Sequence, residues 1–340
     1  MTATQLPEKR DLSLGFVALL DCAPLVVARE KGFFQQQGLN VILQKESSWA
    51  SIRDKVSFGL LDGAQMLAPM PLAATLGLNG NPTPMLTALT LSQNGTAITL
   101  SKELYVSLTQ QVENWQDDKE LGRQFKQLLA GLSRKPVIAT VYPYSNHHYQ
   151  LRYWLNQHQI DTGKDIELVA VPPTKMLDNL ASGLIDGYCV GEPWNSLALI
   201  RQTGGLLTTG YQIWGPHMEK VLGVTQSWAD NHPHTHQALV RAIYNACQWC
   251  ADPANQTEML QLLALPPYLD KAAEALEGFS PPCVMGQRFA GTDVNQPDRK
   301  QGEFLLLQMQ ACSQLKETEQ DLAGIAAQVF RSDLYTQWCD

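Results

Sequence analysis

Charge is scarce in this chain and leans negative. Asp, Glu, Lys and Arg make up 17% of the 340 residues, and the formal net charge is −8. Direct nucleic-acid binding needs clustered Lys and Arg to neutralise phosphates, so no such surface is expected. Long apolar runs are also missing: none reaches the ~20 residues that span a bilayer, so no membrane span is expected. Residues 1–11 are polar, and the apolar stretch 14–27 is broken by Asp21 and Pro24. A secretory signal carries an unbroken apolar core of about 7–15 residues, so the expected location is cytoplasmic. The seven cysteines, Cys22, Cys189, Cys247, Cys250, Cys283, Cys312 and Cys339, are odd in number and scattered. That fits free thiols in a reducing compartment better than a disulfide framework. No G-x-S-x-G, P-loop or G-x-G-x-x-G run occurs, so the matching hydrolase and nucleotide readings lack their mechanical parts.

What is present is hydrophobic material. At 44% apolar residues the chain has enough for two packed cores, and its length fits two domains better than one. Strands are expected at 12–19, 40–44 and 63–67. Helices are expected at 24–32, from an N-cap at Ser48 to 58, and from Pro69-Met-Pro71, where proline in the first turn is tolerated. This alternation predicts βαβ units and a parallel sheet. Residues 86–100 read as extended and lead out of the first lobe. A second series follows, with strands at 137–142, 166–171 and 187–190 and helices at 146–158 and 173–183. Residues 205–207 and 211–214 read as the return, and the chain after 234 as mainly helical. The expected division is lobe one from 1–97 plus 208–340 and lobe two from 98–207.

Several motifs invite chemistry that their surroundings do not support. Cys247-Gln-Trp-Cys250 has redox or zinc spacing but lies late in an apolar helix without a second pair, so two packed thiols are the simpler reading. His232-Pro-His234-Thr-His236 sits in a pre-helix turn without an acidic or cysteine cluster, where capping outweighs metal binding. Asp54, Asp62 and Glu192 form no spaced carboxylate pair. No catalytic residue, metal or cofactor is therefore expected.

Four other places fit a binding cleft. Ser47-Ser48-Trp49 puts a capping hydroxyl and an indole donor at a helix start. Tyr144-Ser145-Asn146-His147 does the same with an imidazole. Both helix starts carry free backbone N–H groups and partial positive charge, which suits an anion. Ser92-Gln-Asn-Gly95-Thr96 is a glycine turn able to present N–H groups. Lys220 lies in His217-Met-Glu-Lys-Val-Leu-Gly223, read as a polar turn between apolar segments.

Taken in order, these segments resemble the substrate-binding proteins of nitrate and bicarbonate ABC transporters, and more closely the soluble cytoplasmic nitrate sensors of nitrate-assimilation operons. The resemblance is carried by Gly15-Phe-Val-Ala-Leu-Leu-Asp-Cys-Ala-Pro24, Lys31-Gly-Phe-Phe34, Ser48-Trp-Ala-Ser-Ile-Arg-Asp54, Asp62-Gly-Ala-Gln-Met-Leu-Ala-Pro-Met-Pro71, Leu151-Arg-Tyr-Trp-Leu155, Val171-Pro-Pro173, Val190-Gly-Glu-Pro-Trp194 and Glu219-Lys220. It weakens over 281–301. It implies an α/β, two-lobed, periplasmic-binding-protein-like fold (type II) with the anion in the interlobe cleft. By position, Trp49 and His147 match the family's anion-contacting tryptophan and histidine, and Lys220 its nitrate-contacting lysine. Where the family often has glutamine, this chain has Thr96, which leaves that contact to its hydroxyl or to a backbone N–H such as that of Gly95. Gln65 and Ser145 complete the expected ligand set.

Nitrate and nitrite only accept hydrogen bonds, so their pocket should supply donors; bicarbonate carries an O–H that needs an acceptor. An unmet buried O–H costs ~1–3 kcal/mol, enough for discrimination. Lys220 stands where the bicarbonate-binding members carry an acidic residue. The expectation is a pocket made only of donors, and a nitrate/nitrite sensor rather than an enzyme. The resemblance implies a protein partner: an RNA-binding antiterminator of the two-component response-regulator type (ANTAR), held by the empty sensor and released on nitrate binding. The alternative is an extracytoplasmic substrate-binding protein of a nitrate or bicarbonate ABC transporter.

Overall fold

The computed structural model describes residues 6–78, 80–269, 272, 286–291, 293–316 and 321–339. Cys283 and the greater part of 270–285 lie outside the described residues. Among the described residues, eleven strands form two sheets. The first holds β1 (Asp11–Val17), β2 (Asn40–Glu46), β3 (Gly63–Leu67), β4 (Met85–Leu86) and β5 (Thr90–Gln93). The second holds β6 (Thr96–Ser101), β7 (Val137–Thr140), β8 (Glu167–Ala170), β9 (Gly187–Gly191) and β10 (Gly204–Thr209). The chain then returns to the first sheet as β11 (Met218–Thr225). The strand orders are β2-β1-β3-β11-β4, with β5 also on β11, and β10-β6-β9-β7-β8. β1 pairs parallel with β2 and β3, and β7 with β8 and β9. β11 runs antiparallel to β3, β4 and β5, and β6 antiparallel to β9 and β10. The α/β, two-lobed reading stands.

Most expected elements form close to where the sequence places them, and two do not. Residues 211–214 belong to a short helix, Gly210–Trp214, rather than a returning strand. Its capping box runs between Thr209 and Gln212, and this local exchange of hydrogen bonds wins over the apolar run Tyr211-Gln-Ile-Trp214. The larger correction is β11. The segment around Lys220 is not a polar turn but an interior strand of the first sheet, buried along Met218–Val224. Adjacent Glu219 and Lys220 hid the strand signal, because charged residues are rarely fully buried unless they are paired. Here they are paired.

The two crossings between sheets are stitched together. Asn94 and Gly95 both have positive φ, 59° and 86°. A Cβ on Gly95 would lie 2.8 Å from the Gln287 side chain, so glycine is required there. Asn94 N–H donates to His217 C=O (3.1 Å), and His217 N–H donates back to Asn94 Oδ1 (3.2 Å). One hydrophobic core runs from the first sheet into the second, joining Trp49, Met66 and Leu67 to Tyr149, Tyr188 and Trp194. Separate cores fill the far side of each sheet. Cys247 and Cys250 are buried in one of these, on the helix Pro233–Ala251, and burial pushes both thiols up. No described helix is long and apolar enough to cross a membrane.

Candidate functional site

Trp49 and His147 reach the gap between the sheets for the same local reason. Ser48 caps the helix Trp49–Ser57, its hydroxyl accepting from Ser51 N–H, which sets Trp49 at the first helical position. Ser145 caps the helix Asn146–Gln157 by accepting from His148 N–H, which puts Asn146 and His147 at the first two. One helix leaves the first sheet and the other the second, and their starts meet at β11. Arg53 also donates across to Tyr142 Oη at 3.0 Å.

Where these elements meet lies a buried ionic cluster. Lys220 Nζ is 2.8 Å from Asp21 Oδ2 and 2.6 Å from Glu219 Oε1. His147 Nε2 is 2.8 Å from the same Glu219 oxygen, an ion-pair contact off the hydrogen-bond direction. Asn146 Nδ2 donates to Glu219 Oε2 at 2.7 Å and to Met218 C=O at 2.5 Å. Lys220 Nζ lies 5.6 Å from the centre of the Trp49 ring, a cation–π contact. All five side chains are essentially inaccessible to solvent, as is Asp21.

The electrostatics separate the two carboxylates. Burial disfavours charge on Glu219, yet Lys220 and His147 together hold its carboxyl well below the usual range. On Asp21 burial wins over Lys220, and its pKa is raised. Burial works against the Lys220 ammonium, but Asp21 and Glu219 outweigh it and raise its pKa, so lysine stays charged. Among the described residues the cluster leaves an acceptor, Asn146 Oδ1, as well as donors without hydrogen-bond partners. Among the described residues, Trp49 Nε1 has no hydrogen-bond partner, and neither ring nitrogen of His147 has a well-directed one. Each unmet buried donor costs ~1–3 kcal/mol, which a hydrogen-bond acceptor beside it would recover.

The sequence-chosen residues divide accordingly. Trp49, His147 and Lys220 come together. Gln65 is adjacent but committed: its Oε1 accepts from Val17 N–H at 3.0 Å and its Nε2 donates to Asp21 Oδ1. It positions Asp21. The other three have structural partners of their own. The Ser145 hydroxyl donates to Tyr142 C=O at 2.6 Å and accepts from His148 N–H, so capping uses it. The Thr96 hydroxyl donates to Gln150 Oε1 at 2.7 Å. Gln150 Nε2 in turn meets His217 Nε2 at 2.8 Å, and His217 Nδ1 meets Gly215 C=O at 2.9 Å. One tautomer satisfies this chain, with His217 donating from Nδ1 and accepting at Nε2. Burial also lowers the His217 pKa, which favours that neutral form. Gly95 serves the crossing, its C=O accepting from Glu192 N–H at 3.0 Å.

A second correction concerns the pocket's character. It does not consist of donors alone, because Asp21 and Glu219 put two acceptors against Lys220. Both were missed, with Asn146. The signals were a lone Asp breaking the apolar stretch 14–27 and an acid beside the one site lysine. Among the described residues, no group of His, Cys, Asp or Glu is arranged to hold a metal.

The comparisons with known proteins agree with this architecture. Residues 5–264 match the NMT1-like family. The chain is 40% identical over 350 aligned residues to the nitrate import ATP-binding protein NrtC of Synechocystis, covering 98% of this chain and 50% of that one. It is 42% identical over 310 residues to the bicarbonate transport ATP-binding protein CmpC of Synechococcus elongatus, covering 89% and 45%. It thus spans about half the length of these relatives. Among solved structures, the periplasmic nitrate-binding protein NrtA of Synechocystis superposes with a TM-score of 0.88 at 30% identity, covering 98% of this chain and 89% of that one. With its fold and its relatives in accord, this chain belongs to the NMT1-like family, and the proteins it resembles carry names of nitrate and bicarbonate transport and binding.

Proposed function

We propose that this protein binds nitrate or nitrite between its two sheets and serves as a sensor of that anion. The observation that carries the ligand reading is the buried Trp49 indole N–H, which has no partner among the described residues, and the buried His147 ring, whose nitrogens have no well-directed hydrogen bond, both beside the buried Lys220 ammonium. Trp49 Nε1 only donates, and so does Lys220, which matches an anion that only accepts. The proposed lobes are residues 1–97 plus 208–340 and residues 98–207, closing on the ligand. Calorimetry with nitrate, nitrite, bicarbonate and sulfate tests this. Nitrate or nitrite should bind, and Lys220→Glu should abolish that binding. Retained nitrate affinity in the variant would remove Lys220 from the site.

Sensing needs a partner whose affinity differs between the empty and filled forms, since a ligand shifts an equilibrium only by its differential binding. The proposed partner is the RNA-binding antiterminator implied by the resemblance, in the cytoplasm, held by the empty form. The net charge of −8 is compatible with covering a basic RNA-binding surface. Linkage supplies the test: nitrate should weaken the complex, and the partner should weaken nitrate binding by the same factor. Finding neither effect removes this mechanism.

A second reading has its own support. Nearly the whole chain aligns with about half of two transport ATP-binding proteins, and no P-loop occurs in it. It then acts as the substrate-sensing module of a transporter, with an ATPase as its partner. In that reading bicarbonate is a competing ligand, because Asp21 and Glu219 offer acceptors for its O–H. Tighter binding of bicarbonate than of nitrate decides for it.

A further inference from the structure

The ligand reading leaves a problem of charge, and this inference rests on that reading. The cluster contains Lys220 as a cation and Asp21 and Glu219 as carboxylates, all fully buried or nearly so. With His147 neutral, the ionised set sums to −1; with His147 protonated, to zero. A buried anion then gives −2 or −1. Uncompensated charge of that kind is among the costliest things a protein interior can hold.

We propose that the anion enters together with a proton, and that Asp21 is the residue that takes it. The two carboxylates are not equally supported. Glu219 is held by Lys220 and His147 on one oxygen and by Asn146 on the other. Asp21 has a single cation, Lys220 on Oδ2, and the neutral Gln65 amide on Oδ1. When a third negative charge arrives, the carboxylate with one charged partner yields first. The other ionisable groups around it are Glu219 and Lys220 on β11, His147 at the start of its helix, and Cys22, next along the chain and with its thiol pushed up by burial. Glu192 touches this turn only through its backbone carbonyl, which accepts from Leu20 N–H at 2.8 Å. The raised proton affinity of Asp21 agrees with the asymmetry. Protonation changes what the pocket recognises: the Asp21 O–H becomes a donor and one acceptor is withdrawn, which favours nitrate over bicarbonate. Asp21 is thereby a specificity-determining residue.

The test is calorimetric titration of the whole protein with sodium nitrate at pH 6, 7 and 8, each in two buffers of different ionisation heat. The wild type should take up about one proton per nitrate, with affinity falling toward about tenfold per pH unit on the alkaline side. Asp21→Asn, whatever its affinity, should show a proton count near zero and a flat pH profile. Gln65→Met removes the amide donor on Asp21 and should shift the wild-type profile to higher pH, which provides the second arm if Asp21→Asn does not fold. Nitrate binding without proton uptake in the wild type overturns the proposal. Uptake that persists in Asp21→Asn does so as well, by placing the proton on His147. An unshifted Gln65→Met profile also counts against it. Absence of heat with nitrate, nitrite or bicarbonate at every pH removes the ligand reading itself.

Discussion

Two buried polar systems sit side by side between the sheets, and they differ in completeness. The chain from Thr96 through Gln150 and His217 to Gly215 is neutral, and its four groups form a closed relay of hydrogen bonds. The cluster of Asp21, Glu219, Lys220 and His147 is charged, and the donors at its edge have no partner among the described residues. Both join residues far apart in the chain, and both contain a buried histidine. A satisfied network fixes geometry, whereas an unsatisfied one pays for a guest. By that criterion the first holds the crossing together, and the second is where the anion is proposed to bind.

The largest expected effect comes from Lys220→Met. The variant keeps the length of the side chain but strands two buried carboxylates. Breaking a buried ion pair from one side costs ~3–5 kcal/mol. Urea unfolding should register that loss at neutral pH and recover part of it in acid, where the carboxylates protonate. A loss below about 1 kcal/mol, within the range of an exposed ion pair, would mean that the cluster opens to water.

Next is a buried acid outside both systems. Glu192 accepts from Ser196 N–H, has no partner on Oε1 among the described residues, and is pushed by burial up to about 8. The folded state therefore keeps a proton that the unfolded chain, with its ordinary value of 4.5, gives up. The sign follows: the stabilisation is complete below pH 4.5, declines by about 1.4 kcal/mol per pH unit between 4.5 and 8, and is exhausted above 8. Glu192→Gln mimics the protonated acid. Relative to wild type it should gain stability progressively from pH 5 to pH 8, by a few kcal/mol in all. A constant difference across that range in parallel melts would place the Glu192 carboxyl in contact with water.

Thr96→Val attacks the joint. It preserves shape and leaves Gln150 Oε1 without its donor, at a cost of ~1–2 kcal/mol, while nitrate affinity should change less than about twofold. A tenfold loss of affinity at unchanged stability would return Thr96 to the binding site, where the sequence first placed it.

Which residues were legible follows from the same contrast. Strand and helix positions in the first 80 residues could be read because apolar periodicity and capping residues act locally: Ser48 and Ser145 are caps in the folded protein, where the sequence puts them. Trp49, His147 and Lys220 were placed by the resemblance, and the structure brings them together. β11 was not legible as a strand, since its two central charges are buried only because distant Asp21 and His147 meet them. Thr96 and Ser145 were read as ligand contacts for a related reason. A hydroxyl in a candidate turn looks available until the fold shows which carbonyl or amide, 54 positions away in the case of Gln150, has taken it.

The smallest change isolates a single atom. Trp49→Phe keeps an aromatic face under Lys220 and removes Nε1, a buried donor that meets no partner among the described residues. Folding gains nothing from an unsatisfied donor, so melting should be unchanged or slightly improved. Binding should weaken about tenfold, the loss of one hydrogen bond to a charged acceptor at ~1.4 kcal/mol. Opposite signs on stability and affinity are the mark of a group held for a ligand. The same substitution would lower both if Trp49 were only part of the core that joins the two sheets. Measuring the two quantities on one preparation therefore separates the binding role of this indole from its packing role.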